Sequence, residues 1–192
     1  MGKLIVLNAP PRAGKDTIAR DLQSEYMVST ASFKAPMFNI VRAMIGVANF
    51  AEFMRIYESD KKDSARPDFM AGMTCREFMI WVSEVVIKPK FGKRYFGELM
   101  AEFLKCFFEE GETVVCTDGG FPDEIEALID AGIEINLVRL HREGFDFSND
   151  SRDYIYLSEE YASKPGVEQV DLHMVHGDPE FTSDQIATLF IK

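Results

Sequence analysis

Short apolar runs alternate with amphipathic stretches along this chain. Residues 4–7 are continuously apolar between polar neighbours, which is typical of a strand buried on both faces. Over residues 15–26 the apolar side chains recur at helical spacing and predict an amphipathic helix. Residues 27–33 indicate a second strand, although serine and threonine interrupt it.

The section from residue 36 to about residue 108 is helical in character. Its clearest segment has one apolar face and is closed by Gly111. That face consists of Phe96, Leu99, Met100, Phe103, Leu104 and Phe107. We expect an all-helical insert over approximately residues 36–110.

Strands and helices alternate again after the insert. Residues 113–117 predict a strand that ends at Asp118, and a helix begins at Pro122 and ends at Gly132. Strands follow over residues 133–140 and around 170–175. A C-terminal helix then places Ile186, Leu189 and Phe190 inside. This order predicts one α/β domain over residues 1–192, with a mainly parallel sheet of about five strands flanked by helices.

Composition and charge narrow the class of protein. A length of 192 residues with 46% hydrophobic and 28% charged residues fits one globular domain. A net charge of −11 argues against binding long nucleic acid and suits a small anionic substrate held near local basic residues. The N-terminal apolar run is too short for a membrane span or a signal sequence, so we expect a cytoplasmic protein without a membrane partner. The three cysteines lack the spacing of a metal site.

The junction of the first strand and helix carries the most informative motif. Residues 8–17 read N-A-P-P-R-A-G-K-D-T and follow the pattern of a phosphate-binding loop. Backbone N–H groups and the positive end of the following helix bind phosphates in such a loop, and the lysine reaches the terminal phosphates. We therefore expect ATP and Mg²⁺ as cofactors. Six consecutive residues are assigned to the nucleotide: Arg12, Ala13, Gly14, Lys15, Asp16 and Thr17. The alternative is an ordinary tight turn with a surface lysine.

Two positions depart from the usual pattern of the loop. Ala9 replaces the first glycine, which is tolerated if the backbone there keeps a negative φ. Asp16 occupies the usual Ser/Thr position, where its carboxylate is a suitable Mg²⁺ ligand together with the Thr17 hydroxyl. Asp118, at the carboxyl end of a buried strand, is a third candidate for the metal or the acceptor. Its alternative reading is a turn residue before glycine.

Several segments together resemble the bacteriophage deoxynucleoside monophosphate kinases. Residues 14–17 match the family's G-K-D-T, and residues 32–37 are similar to its S-F-A-D-P-L. Residues 74–81 with 91–96 resemble its T-x-R-E-x-L-Q and F-G-x-x-x-F elements, and residues 117–124 its D-V-R-F-x-N-E stretch. Lys34-Ala35 stands where the family has Ala-Asp, and Gly120 stands where it has an arginine.

The resemblance implies a P-loop NTPase fold and phosphoryl transfer from ATP to a deoxynucleoside monophosphate held by the helical insert. It implies a catalytic set of Lys15, Asp16, Asp118 and Arg142. It places the acceptor at the helical insert, which carries Arg42 and Arg76, and the full predicted acceptor set is Lys34, Arg42, Arg76, Trp81 and Arg152. Arg139 or Arg142 is expected to replace the arginine missing at position 120. The loop at His176 and Gly177 is expected to lie beside the adenine of ATP.

Other readings of these residues stay open. Arg42 and Arg76 suit a solvated helix face, Trp81 suits a core, and His176 suits a plain turn. The polar segment over residues 141–153 predicts a lid or an ordinary charged loop.

Three functions therefore remain. The first is the deoxynucleoside monophosphate kinase, in host cytoplasm if the protein is phage-encoded. The second is a P-loop kinase of another phosphorylated acceptor, of the dephospho-coenzyme A or phosphomevalonate type. The third is a nucleotide-binding regulatory protein without turnover. A homodimer is compatible with each of these functions.

Overall fold

The computed structural model describes residues 2–108, 112–148 and 152–192. The chain forms two compact units, one of Met1–Phe33 with Gly97–Lys192 and one of Lys34–Phe96. The strands are β1 Lys3–Asn8, β2 Ser29–Ala31, β3 Thr113–Cys116, β4 Glu134–His141 and β5 Val167–His173. The helices are α1 Lys15–Tyr26, α2 Lys34–Ile45, α3 Val47–Tyr57, α4 Cys75–Trp81, α5 Lys88–Phe91, α6 Tyr95–Phe108, α7 Pro122–Asp130, α8 Glu159–Ala162 and α9 Pro179–Phe190.

The first unit contains a parallel five-stranded sheet in the order β2-β3-β1-β4-β5. Alternate side chains of β1 point to opposite faces of this sheet because the strand repeats every two residues. Leu4 and Val6 pack in one core with side chains of α6 and α7. Ile5 and Leu7 pack in the other core with side chains of α1 and α9. This two-sided burial explains why the first strand is continuously apolar.

The structure confirms the α/β class, the parallel sheet and the helix over residues 15–26. In the sheet-containing unit it corrects two details and adds one helix. The last strand runs over Val167–His173 rather than around residues 170–175, because Val175 turns away to form an isolated bridge with Asp178. Leu189 is 54% exposed, since Ile186, Ala187 and Phe190 form the inner face of α9. The short helix α8 is an addition that the sequence pattern did not indicate.

The second unit is helical throughout its described elements. Short 3-10 turns at Asp60–Asp63 and Asp68–Met70 and a π-helical turn at Val82–Ile87 join its α-helices. The core of this unit is rich in aromatic rings, and the fully buried Phe53 contacts Phe38, Phe50, Tyr57 and Phe78. The helical segment begins at Lys34 rather than residue 36. Gly111, predicted to close α6, lies outside the described residues.

Across the three described ranges, no helix has both the length and the apolar composition that a membrane crossing requires.

Candidate functional site

The loop between β1 and α1 has the backbone geometry of a phosphate-binding loop. Gly14 precedes α1 with φ 111°, in the left-handed region that favours glycine. Arg12 also has a positive φ, of 63°, and its strained backbone turns the loop back so that the Ala13 N–H donates to the Pro10 carbonyl at 3.3 Å. Ala9 is absent from the described non-glycine residues with positive φ, so the condition for alanine at this position is met.

The first turn of α1 presents its positive end to this loop. The Gly14 carbonyl accepts hydrogen bonds from the N–H groups of Thr17 and Ile18 at 3.0 and 3.1 Å. In this described part of the chain no side chain caps the helix. An uncapped helix N-terminus favours an anion, since its N–H groups and macrodipole both point towards it. Lys15, the first helical residue, adds a cationic side chain at the same end.

Asp16 and Thr17 follow Lys15 in the first turn of α1. Asp16 is exposed, and Thr17 is half-buried. The Arg20 guanidinium donates to the Thr17 hydroxyl and to the Asp16 carbonyl, both at 3.3 Å. The structure therefore holds the predicted nucleotide residues 12–17 in one continuous loop and helix start.

Asp118 lies just beyond β3, which is paired with β1 in the sheet. Its carboxylate accepts hydrogen bonds from the Ser32 hydroxyl and, at 2.9 Å, from the Phe33 N–H. The Cys116 thiol is 3.1 Å from the same carboxylate. Burial, reinforced by the charge of Asp118, holds the pKa of Cys116 well above its usual value, so this thiol stays protonated. Asp118 thus ties the ends of β2 and β3 together at the carboxyl edge of the sheet.

Arg142, which follows β4, contacts the phosphate loop directly. Its Nη1 donates to the Ala13 carbonyl at 3.0 Å, and its guanidinium lies 4.5 Å from the centre of the Phe145 ring. A Cβ at Gly14 would be 3.7 Å from the same Nη1. The structure thus places Arg142 beside the loop, and its catalytic role stays a prediction.

Arg139 occupies a different environment from Arg142. It is buried on β4 and donates to the Asp171 carboxylate at 2.9 and 2.7 Å, and to the Ile155 carbonyl and Gln169 at 3.0 Å. The hydrogen bonds to Asp171 raise the pKa of Arg139 and lower that of Asp171. Because these donors bind protein groups, we interpret Arg139 as a structural residue and leave it out of the proposed nucleotide site.

Arg152 packs its aliphatic stem on Gly120. A Cβ at position 120 would lie 2.5 Å from Cδ and 2.9 Å from Cγ of Arg152. The absence of a side chain at position 120 therefore leaves room for the stem of Arg152, an arginine from another part of the chain. Residues 149–151 of the predicted lid lie outside the described residues.

Solved structures of low sequence identity share this architecture. A sugar kinase from a Janibacter species matches with a TM-score of 0.51 and 13% identity, over 98% of this chain and 94% of that one. A candidate kinase from Chloroflexus aurantiacus matches with a TM-score of 0.52 and 11% identity, over 98% and 95% of the two chains. The chain has the P-loop NTPase fold. No family model matches the chain, and no curated protein matches its sequence.

The remaining predicted nucleotide residues, His176 and Gly177, form the turn that precedes α9 of this P-loop fold. Gly177 has a left-handed φ of 79°, and an antiparallel bridge joins Val175 and Asp178 around it. Asp178 caps α9 by accepting the Phe181 N–H at 3.0 Å. These features agree with the plain strand-to-helix turn.

The predicted acceptor residues other than Arg152 all lie in the second unit. Lys34 and Arg42 belong to α2, where Arg42 is exposed. Arg76, on α4, donates to Asp63 at 2.8 Å. Trp81 is half-buried, with its ring 5.7 Å from that of Phe78. Trp81 thus contributes to the core of this unit, while Arg42 has the exposure that an acceptor-binding arginine needs.

The three predicted metal ligands fit a magnesium ion by their chemistry. Asp16, Thr17 and Asp118 offer oxygen donors, which this hard cation prefers. No group of three or more His, Cys, Asp or Glu side chains that could hold a metal occurs among the described residues. Mg²⁺ in nucleotide sites uses one or two carboxylates and completes its coordination with phosphates and water.

Asn8 is a described residue next to this loop that the sequence analysis did not single out. It ends β1 and is only 2% exposed. Its amide accepts the Ile155 N–H at 2.9 Å and donates to the Asp153 carbonyl at 3.4 Å. A buried asparagine at the end of an apolar strand was the available signal, since such a group requires partners from elsewhere in the chain.

Proposed function

We propose that this protein transfers the terminal phosphate of ATP to a deoxynucleoside monophosphate. The observation that carries the proposal is the P-loop itself. Gly14 and the uncapped N-terminus of α1 form an anion site, Lys15 stands at its start, and Arg142 is hydrogen-bonded to the Ala13 carbonyl within it. The kinase descriptions of the two similar structures support a phosphotransferase.

The donor side of the reaction uses charges that are already in place. The N–H groups at the start of α1 bind phosphate oxygens, and Lys15 offsets the negative charge of the terminal phosphates. Arg142 adds a planar donor at the edge of the same loop, where its fork suits a phosphate. Such preorganised charges stabilise the transition state more than they would in water.

Asp16, Thr17 and Asp118 are the residues that would hold Mg²⁺, with the Asp118 carboxylate kept in place by Ser32 and Phe33. The ion supplies charge neutralisation of the transferred phosphoryl group when it is bound.

The acceptor is assigned from the family resemblance and from the chemistry of a phosphorylated substrate. A monophosphate acceptor requires cations of its own, and arginine binds phosphate better than lysine because of its planar fork. Arg42, Arg76 and Arg152 are the proposed acceptor residues, with Lys34 and Trp81 as the further members. Arg76 would have to exchange its bond to Asp63 for one to the phosphate.

The deciding experiment is ADP release from ATP and Mg²⁺ with each of the four deoxynucleoside monophosphates offered separately. We expect strong stimulation by one or several of them. Dephospho-coenzyme A and phosphomevalonate serve as comparison acceptors. Stimulation by one of those alone would move the assignment to the second function, and ATP binding without any stimulation would move it to the regulatory protein.

The substitution Lys15→Ala tests whether the loop binds the transferred phosphate, with Lys105→Ala as its matched control. We expect turnover to fall by about 100-fold or more, because a preorganised charge at the transferring phosphate is lost. The variant should stay folded, since Lys15 is only half-buried at a helix start. Lys105→Ala, which removes an exposed lysine on α6, should leave turnover unchanged. Near-normal rates in Lys15→Ala would contradict the phosphate-loop assignment.

A further inference from the structure

Asn8 joins two parts of the first unit that are distant in sequence. Its Oδ1 accepts the N–H of Ile155, 147 positions away, at 2.9 Å, and its Nδ2 donates to the carbonyl of Asp153 at 3.4 Å. Ile155 is fully buried in the core on the α6 and α7 side of the sheet. The shorter of the two bonds is thus buried at both ends, and water cannot replace it without disturbing the core.

The chain held in this way contains Arg152. The stem of Arg152 lies on Gly120, two residues beyond Asp118. Gly120 is not among the glycines with a positive φ, so its backbone conformation does not require glycine. What position 120 requires is the lack of a side chain, which leaves room for the stem of Arg152. Asn8 fixes the backbone one residue and three residues after Arg152, while Asn8 itself directly precedes the P-loop.

We propose that Asn8 is a positioning residue that holds Arg152 in register with the P-loop. This inference rests on the proposed function. Asn8 ends β1 and Asp118 follows β3, so the amide of Asn8 links the loop, through Asp153 and Ile155, to the arginine packed at the Asp118 end of the sheet. Asn8 does not itself touch a substrate; it acts through the place that it gives to Arg152.

A displaced catalytic or binding group reduces turnover even when substrates still bind, because the barrier depends on alignment of the reacting atoms. Asn8→Ala is therefore expected to lower kcat by about tenfold or more. The dissociation constant of ATP should change little, since residues 12–17 keep their own backbone contacts.

A double-variant cycle separates positioning from a general structural role. If Asn8 acts through Arg152, the pair Asn8→Ala with Arg152→Ala has the same kcat as Arg152→Ala alone. If the two losses multiply, Asn8 acts independently of Arg152 and the proposal is wrong. Asn8→Ser, whose hydroxyl is too short to reach both groups, replaces Asn8→Ala in the cycle should the alanine variant fail to fold.

Asn136 provides the matched control. It is a buried asparagine on β4 of the same sheet, within the strand rather than at its carboxyl end. We expect Asn136→Ala to leave kcat unchanged. An equal loss of kcat in both asparagine variants would mean that any polar deletion in this sheet impairs the enzyme, which overturns the specific role of Asn8.

Hydrogen exchange tests the anchoring without using activity. The peptide that covers residues 152–157 should exchange faster in Asn8→Ala than in the wild-type protein, while the peptide of α1 should not. Unchanged exchange at 152–157 overturns the inference whatever the kinetics show. Absence of acceptor-dependent ADP release in the wild-type protein would instead refute the proposed function, and with it the kinetic role of Asn8.

Discussion

Arg139 and Asp171 join β4 and β5 near their carboxyl ends through two charged hydrogen bonds. The side chain of Arg139 is 8% exposed and that of Asp171 is 43% exposed, so the arginine depends on this partner more than the carboxylate does. His141 also bonds to Asp171, at 2.7 Å. At the residue scale, the bonds to Asp171 distinguish the role of Arg139 from that of Arg142, three positions later. Arg139 stabilises the sheet, whereas Arg142 contacts the P-loop.

Asp171→Asn tests this structural role. We expect a decrease of about 1 kcal/mol in the free energy of unfolding at pH 7, because a charged hydrogen bond is lost and solvent screens its exposed side. The hydrogen bonds from Arg139 lower the pKa of Asp171 in the folded state, below the value of about 3.9 in an unfolded chain. The stabilisation is therefore present above about pH 4 and is lost as the pH falls further.

Urea unfolding at a series of pH values measures the effect. The difference between wild type and Asp171→Asn should narrow below about pH 4. Glu168→Gln, an exposed carboxylate on the same strand, is the control and should show no such difference. A constant difference across the pH series would contradict the assigned cause.

At the element scale, the amphipathic helix α6 packs one of its faces against the core of the sheet-containing unit. Met100 and Leu104 are fully buried in the cluster that includes Leu4 and Val6, whereas Phe103 is 45% exposed. The sequence pattern assigned Phe103 and Leu104 to the same apolar face. The structure divides them, because neighbouring residues in a helix point about 100° apart and the core contacts only one side.

Leu104→Ala and Phe103→Ala form a matched pair of substitutions on α6. We expect Leu104→Ala to lower the free energy of unfolding by about 2–5 kcal/mol, since it removes packed methyl groups and leaves a cavity. Phe103→Ala should cost clearly less, because part of its ring is already in water. Thermal or urea unfolding of both variants measures the two losses in free energy of unfolding. Equal losses would contradict the assignment of Leu104, rather than Phe103, to the buried face of α6.

At the scale of the whole molecule, a net charge of −11 opposes the binding of an anion, which is the ligand proposed for the P-loop. The overall charge repels a nucleotide at long range, so the affinity must come from local groups at the P-loop: the helix N-terminus, Lys15 and Arg142. We therefore expect ATP to contact only groups around the P-loop and yet to raise the free energy of unfolding of the protein.

ATP with Mg²⁺ at about 100 times its dissociation constant should stabilise the folded protein by about 2.7 kcal/mol. For a chain of this size that free energy corresponds to a rise in melting temperature of roughly 5–10 °C. Differential scanning fluorimetry with and without ATP measures the shift, and Lys15→Ala should reduce it. The shift reports binding without requiring turnover, so only together with the ADP-release assay does it distinguish a binding protein from an enzyme. Absence of any shift at millimolar ATP would contradict nucleotide binding.

The sequence by itself determined the features that depend on neighbouring residues. The hydrophobic spacing of residues 15–26 predicted α1 at its observed bounds, the apolar run of β1 predicted a strand buried on both faces, and Gly14 with Lys15 predicted the P-loop. These signals are local, because helix and strand periods and the glycine conformation are set within a few residues.

Only the tertiary structure decided how distant segments meet. Arg142 and Ala13 are 129 positions apart, and Asn8 and Asp153 are 145 apart. Arg139 and Arg142 look equivalent in the sequence, yet one is buried between strands and the other contacts the loop. The position of Arg152 on Gly120 and the exposure of Leu189 have the same origin. Strand order and the packing of helices on the sheet determine them, and no local pattern of side chains specifies that order.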